Sequence, residues 1–272
     1  MQKVAVFGAA GRMGATVCRA VVEAPDLELV AAVDPAAAGR PLGEVTAGAG
    51  TVVLGRAAHL QVAADASELA GSIDVAVDFT VAASCYANLS WCAAENVHAV
   101  SGTTGLSGDE LAGLRQAFGR GANCVLAPNF SIGAALMMRC AELCSPYFEG
   151  AEVIELHHEN KRDAPSGTSL ETVRRMAAAR AGREPFSPDP TEVTALEHVR
   201  GGLGDGGVRL HSVRLPGLVA HQEVIFGSAG ETLTLRHDST DRASFMPGVL
   251  LAVRRVSELP GFTLGLETVL GL

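Results

Sequence analysis

Gly8-Ala9-Ala10-Gly11-Arg12-Met13-Gly14 comes directly after the apolar run at residues 3–7 and directly before a stretch with helical spacing. Glycines placed between a strand and a helix permit one tight turn and a close backbone approach to a pyrophosphate. That anion sits on the helix N-terminus, where unpaired N–H groups and the helix dipole favour negative charge. The spacing is GxxGxxG, a variant of GxGxxG, and a plain strand-to-helix turn would also use glycine. The surroundings sharpen it: Asp34 closes the next apolar run, 20 residues after Gly14, where a carboxylate can accept from the adenosine ribose hydroxyls. A chain that starts this way is expected to build a doubly wound α/β sheet around a dinucleotide.

The first half agrees with that expectation. Apolar runs at 3–7, 29–33, 75–79, 98–101 and 124–127 read as buried parallel strands, and the segments between them carry helix-like Ala, Leu and Glu spacing. Phe79-Thr80 and Gly102-Thr103-Thr104-Gly105 follow the third and fourth runs, at strand carboxyl ends where open α/β sheets bind ligands. Thr103 and Thr104 are placed to hydrogen-bond a nicotinamide amide or ribose, although ordinary turn chemistry would also account for them. Asp34 favours NADH, because it would repel a 2′-phosphate; Pro35 follows it, so no adjacent arginine offsets that repulsion. Arg12 in the glycine turn is the one group placed to reach such a phosphate, so NADH is expected to be preferred and NADPH tolerated.

After Asn129 the pattern changes. A helix is expected at 132–144, a strand at 151–156 and a helix from about 169 to 181, then a proline-marked loop at 185–190. Three alternating strands follow at 208–214, 220–226 and 231–238, and a helix at 242–256 is expected to pack back on the first domain. The expected architecture is a Rossmann-like nucleotide domain at 1–128 plus 241–272, and a smaller α+β domain with an antiparallel sheet at 129–240.

Composition narrows the function. A net charge of −9 argues against a nucleic-acid or anionic-membrane surface, and no apolar run approaches a membrane span. No basic-then-apolar leader is read at the start. The six cysteines form no CxxC, and they are expected to be reduced core residues of a cytoplasmic protein. Only two of the 21 basic side chains are lysines, Lys3 and Lys161, and Lys161 lies in His157-His158-Glu159-Asn160-Lys161-Arg162-Asp163-Ala164-Pro165-Ser166-Gly167-Thr168. Lysine differs from arginine as a compact point charge with a tunable pKa. Thr168-Ser169-Leu170-Glu171 reads as a capping box that starts a helix, and a helix start beside an ammonium suits a carboxylate. Were the strand to continue straight, His157 and His158 would face opposite sides, so it is expected to end here. Solvated or purely structural histidines are the plainer alternative. There is no HExxH and no third ligand nearby, so no metal is expected, and Ser166 lacks a nucleophile elbow.

These motifs together resemble the 4-hydroxy-tetrahydrodipicolinate reductase (dihydrodipicolinate reductase) family along essentially the whole chain. The resemblance runs through the glycine turn, Val77-Asp78-Phe79-Thr80, Gly102-Thr103-Thr104-Gly105, Ala127-Pro128-Asn129-Phe130-Ser131-Ile132-Gly133, and the pattern E-x-H-H-x-x-K-x-D-A-P-S-G-T from Glu155 to Thr168. The resemblance implies NAD(P)H-dependent reduction of the hydroxylated tetrahydrodipicolinate, with loss of water and hydride delivered to ring C4, by a cytosolic homotetramer. It implies His157 as proton donor, Lys161 as its assisting partner, and His158, Lys161, Gly167 and Thr168 as contacts to a substrate carboxylate, with Arg242 near the pocket. It implies nucleotide contacts at Gly8, Ala10, Gly11, Arg12, Met13, Asp34, Thr80, Gly102, Thr104, Asn129 and Phe130. The partner is then a small dicarboxylate, with no nucleic acid and no membrane. Another two-domain nucleotide-linked reductase, or a non-catalytic NAD(P) sensor on the same fold, are the competing readings.

Overall fold

The computed structural model describes residues 1–46 and 54–272. The chain divides into two compact units, Met1–Ile132 with Phe245–Leu272, and Gly133–Ser244. The divide falls at 132/133 and 244/245, against 128/129 and 240/241 read from the sequence. Phe130 explains the first difference: its ring lies 5.9 Å from that of Phe79, and a Cβ on Gly248 would stand 2.0 Å from its carbonyl oxygen, so it is gripped within the first unit.

In the first unit β1 (Gln2–Phe7), α1 (Arg12–Glu23), β2 (Leu27–Val33), α2 (Leu42–Thr46), β3 (Val75–Asp78), α3 (Ala82–Ala94), β4 (His98–Ser101), α4 (Gly108–Ala117) and β5 (Cys124–Leu126) follow one another. The second unit takes α5 (Ile132–Cys144), β6 (Gly150–His157), α6 (Gly167–Ala179), β7 (Gly202–Leu203), β8 (Arg209–Arg214), β9 (Ala220–Ser228) and β10 (Glu231–Ser239). The chain then returns to the first unit as α7 (Met246–Arg255), β11 (Phe262–Leu264) and α8 (Glu267–Leu270).

The first sheet is parallel throughout, in the order β11-β5-β4-β3-β1-β2. Its central strands are mostly apolar because both faces are covered; all four residues of β3 are buried. Helix α1 buries Gly14, Ala15, Val17, Cys18, Ala20 and Val21, the one-sided stripe expected of 3.6-residue periodicity, and it packs against α7. The strand order reverses about β1, so the loops after β1 and β3 diverge there and leave the crevice in which such sheets bind ligands.

The second sheet runs β10-β9-β6-β8-β7. It is mostly antiparallel, as expected, with one pair, β6 and β8, running parallel. The cause is the long excursion through α6 between them, which brings the chain back in the same direction, as a crossover must. Val153, Val173, Met176, Val208, Val224 and Phe226 form its core.

Cys18, Cys85, Cys92 and Cys124 are buried, and burial pushes the Cys18 and Cys85 thiols up to about 12, leaving them inert. Cys140 is the exception to the core reading: α5 turns it outward, whereas Cys144 packs partly on the second core. Among the described residues no helix is long and apolar enough to cross a membrane.

Candidate active site

The glycine turn is built as the sequence suggested. Gly8 N–H donates to Val33 O at 2.8 Å and Gly11 N–H to Gly8 O at 3.0 Å, closing the turn onto the end of β2. Gly11 is the N-cap of α1 and no side chain caps it, so the first-turn N–H groups are held for an acceptor supplied from elsewhere. Gly14 is required by packing: a Cβ there would lie 2.0 Å from Gly8 O, inside the contact between helix and turn.

Asp34 does more than end a strand. Its Oδ2 accepts from Ala10 N at 3.0 Å and its Oδ1 from Ala36 N at 3.1 Å, so one carboxylate fixes the glycine turn and caps the short 3₁₀ turn that follows. A carboxylate has about four acceptor positions, so two remain for ribose hydroxyls. Arg12 is exposed on the opening turn of α1.

The loops after β3 and β4 are tied together by Asp78, a residue without an assigned role in the sequence reading. It is fully buried; Oδ1 accepts from Thr103 Oγ1 at 2.7 Å and Thr80 Oγ1 at 3.0 Å, and Oδ2 from Asn88 Nδ2 at 2.8 Å. Thr103 is thereby committed to the scaffold, whereas Thr104 is exposed. Gly102 lets the Phe79 ring pass, since a Cβ there would meet Cε1 at 2.2 Å. The result is a cavity of about 380 Å³ lined by Met13, Phe79, Thr80, Gly102, Thr103 and Thr104. It brings Met13, Thr80, Gly102 and Thr104 together out of the sequence-expected set. Phe130 joins only as the buried ring against Phe79, and Asn129 Oδ1 accepts from Ser131 N at 2.8 Å ahead of α5. A turn that excludes side chains, an uncapped helix start and a cavity beside them fit a dinucleotide.

The second cluster lies in the other unit. Strand β6 ends at His157, and His158 starts the loop, its carbonyl accepting from Lys161 N at 3.2 Å. Glu155, fully buried on the same side of β6 as Val153, holds His157: Nδ1 lies 2.5 Å from Glu155 Oε2. Arg214 grips the same carboxylate with both Nη atoms, at 2.7 and 2.8 Å. Burial alone would raise the Glu155 pKa; hydrogen bonds from Arg214, Ser212 and His157 outweigh it and hold the carboxyl below its usual range. Because Glu155 is ionised, His157 Nδ1 is the donor, and Nε2 is the ring nitrogen that Glu155 does not engage. The His157 pKa is lowered, first by burial and also by Lys161 and Arg214, against the raising effect of Glu155. Lys161 Nζ donates to both oxygens of Asp163, at 2.8 and 2.9 Å.

Helix α6 begins two residues before the expected capping box. Ser166 is the N-cap, its Oγ accepting from Ser169 N at 3.2 Å, and Gly167 and Thr168 are the first two helical residues. Glu171 cannot reach back, because Arg174 and Arg175 hold it at 2.7 Å and draw its pKa down to about 2. Ser169 is in turn held by Gln222, with 2.7 Å between Ser169 Oγ and Gln222 Oε1, so the cap is anchored to β9. Arg242 is exposed at the start of a 3₁₀ turn, and the described contacts do not bring it to this cluster.

A parallel sheet reversing about β1, with a glycine turn and an uncapped helix at that point, defines a protein of the Rossmann dinucleotide-binding class. Residues 2–130 match the family described as dihydrodipicolinate reductase, N-terminus, and residues 133–270 its C-terminus. A 4-hydroxy-tetrahydrodipicolinate reductase of Cutibacterium acnes is 49% identical over 276 residues, covering 100% of each chain, and one of Streptomyces avermitilis is 48% identical, covering 99% of this chain and 98% of that one. The solved structure of a dipicolinate-bound dihydrodipicolinate reductase from Paenisporosarcina sp. TG-14 superposes with a TM-score of 0.84 at 36% identity, covering 98% of this chain and 99% of that one. The chain belongs to the dihydrodipicolinate reductase family.

Proposed function

We propose that this chain catalyses the NAD(P)H-dependent reduction of 4-hydroxy-tetrahydrodipicolinate to tetrahydrodipicolinate, a step of lysine and diaminopimelate biosynthesis. Substrate, NAD(P)H and one proton give product, NAD(P)⁺ and water. The observation that carries this is the frame of hydrogen bonds that joins His157 to Lys161 through Glu155, Arg214 and Asp163, in a chain whose full-length relatives bear that activity in their names.

Bound NAD(P)H supplies the hydride, to ring C4. The chain's own residues hold the dicarboxylate and manage the proton. Lys161 and the first-turn N–H groups of Gly167 and Thr168 receive carboxylate oxygens, with His158 and Arg242 contributing at the pocket's edge. The incoming carboxylate shares Lys161 with Asp163. His157 Nδ1 is committed to Glu155, so Nε2 donates only from the imidazolium form. Burial disfavours that form in the ligand-free protein, and a dianionic substrate restores it. The acid is thus charged as its substrate binds.

The first unit is the nucleotide-binding part, with contacts from Gly8, Ala10, Gly11, Arg12, Met13, Asp34, Thr80, Gly102, Thr104, Asn129 and Phe130. Asp34 favours NADH over NADPH. The second unit binds substrate and carries assembly into a homotetramer, and the enzyme works in the cytoplasm. Mixing the protein with freshly generated substrate and following the reduced-nicotinamide absorbance, NADH and NADPH in parallel, tests the reading. Consumption that needs both substrate and Lys161 supports it. NADH binding without consumption transfers the case to another substrate or to a sensing role.

A further inference from the structure

Arg214 makes more contacts than an arginine at a strand end needs. In the parallel ladder of β6 and β8 it stands opposite His157, and Ser212 stands opposite Glu155. Its two Nη atoms meet four acceptors: both oxygens of buried Glu155, Val213 O at 2.7 Å and Asp163 O at 2.8 Å. The Nε atom is buried with no acceptor among the described residues, so the two Nη groups dictate how the guanidinium lies. From this one planar fork an arm runs through Glu155 to His157 Nδ1, and another through the Asp163 backbone to the carboxylate that holds Lys161 Nζ. A lysine could supply the charge but not donate to four acceptors in one plane.

We propose that the Glu155–Arg214 pair is the positioning unit of the site: it fixes the tautomer and direction of the His157 ring and sets the Lys161 loop on the same frame. The proposal rests on the functional reading above. A merely structural ion pair between β6 and β8 would hold the sheet without affecting either group's chemistry. The charged groups that face His157 are Glu155, Arg214 and Lys161, with Asp163 beyond Lys161, so a change at Glu155 or Arg214 must register in the His157 titration.

Two measurements test this. The first is ¹⁵N NMR of histidine-labelled protein without substrate, the His157 signal assigned with His157→Gln. The neutral ring is expected to carry its proton on Nδ1, and in Arg214→Lys that bias is expected to weaken. A neutral wild-type ring protonated on Nε2 would overturn the proposal, whatever the protein reduces, so this arm stands even if the reductase reading fails. The second is the pH profile of kcat/KM for Arg214→Lys and Glu155→Gln, with NADH affinity measured as a control. Both are expected to lose about 10²-fold in kcat/KM with NADH affinity unchanged, the order of loss for a small misplacement of a catalytic group. In Glu155→Gln the alkaline limb moves to lower pH, because the carboxylate that favours the imidazolium is gone. Variants with the wild-type profile, or weakened variants with an unshifted profile and unaltered tautomer, would reduce the pair to a structural role. Should Arg214→Lys not fold, the wild-type tautomer and the Glu155→Gln profile decide.

Discussion

Gly14→Ala tests how the glycine turn works. A Cβ at position 14 would lie 2.0 Å from Gly8 O, 2.7 Å from Gly8 C and 2.9 Å from the Ala9 Cα. All three are backbone atoms, so no side chain can swing away. Ordinary contact begins at 3.4 Å, so helix and turn must part by about 1.4 Å. That movement breaks or stretches the Gly11 N–H to Gly8 O bond, now 3.0 Å, and lifts α1 from the sheet where Val17 and Val21 are fully buried. Overpacking of this kind costs about 1–3 kcal/mol and a lost hydrogen bond about 1 kcal/mol more. For a chain of this size that lowers the melting temperature by roughly 5–15 °C. The same shift moves the first-turn N–H groups away from a pyrophosphate. Losing one charge-assisted bond, worth about 1.5–3 kcal/mol, raises the NADH Kd by roughly 10–150-fold. Thermal denaturation and NADH fluorescence titration measure the two effects, with Gly119→Ala as control, since a Cβ there meets nothing within 4 Å. Melting within a degree or two of wild type, with the NADH Kd within about twofold, would refute the reasoning.

The remaining predictions concern charge and protons. Lys161→Ala should weaken dipicolinate binding, read by calorimetry, by roughly 10–150-fold for one lost charge-assisted bond, while the fold and NADH affinity survive. Dipicolinate binding above neutral pH should take up a proton at His157, seen as a dependence of binding enthalpy on buffer ionisation heat that disappears in His157→Gln; identical enthalpies in all buffers would count against the coupling. Asp34→Asn should shift preference toward NADPH by about fivefold or more, since one unit charge near a phosphate is worth on the order of 1–4 kcal/mol; an unchanged NADH to NADPH ratio would remove Asp34 from cofactor choice. Glu171 has a folded pKa of about 2 against an ordinary 4.5, so its stabilising contribution is full above about 4.5 and is lost as pH falls towards about 2. Glu171→Gln should accordingly flatten the acid limb of a stability-versus-pH curve, and a limb identical to wild type would deny Glu171 that role.

The sequence made the parts with strong local signals legible. Five of the six parallel strands announce themselves as apolar runs, and the glycine turn and the His157–Thr168 segment are contiguous. β11 escaped because three residues between Gly261 and Gly265 carry no readable period, and only its pairing with β5 makes it a strand. The parallel pairing of β6 with β8 is invisible in chain order, since a long excursion through α6 hides which direction the return takes. The cap of α6 is ambiguous in sequence because Ser166 and Thr168 are both capping residue types, and only the Arg174 and Arg175 contacts with Glu171 decide between them. Asp78, Glu155 and Arg214 have roles that appear only in the folded chain. A signal existed for Glu155, a carboxylate on the buried face of a strand, which is tolerable only if paired. Its partner, 59 residues away, had none.

The central claim is hydride delivery to the ring, and isotope transfer tests it most directly. A single turnover with NADH deuterated at the transferring position of nicotinamide C4, in the presence of freshly generated 4-hydroxy-tetrahydrodipicolinate, should place one deuterium on C4 of the tetrahydrodipicolinate ring, detected by NMR and mass spectrometry. Product without deuterium, deuterium on another ring carbon, or unconsumed cofactor with the protein folded and NADH bound would contradict the account.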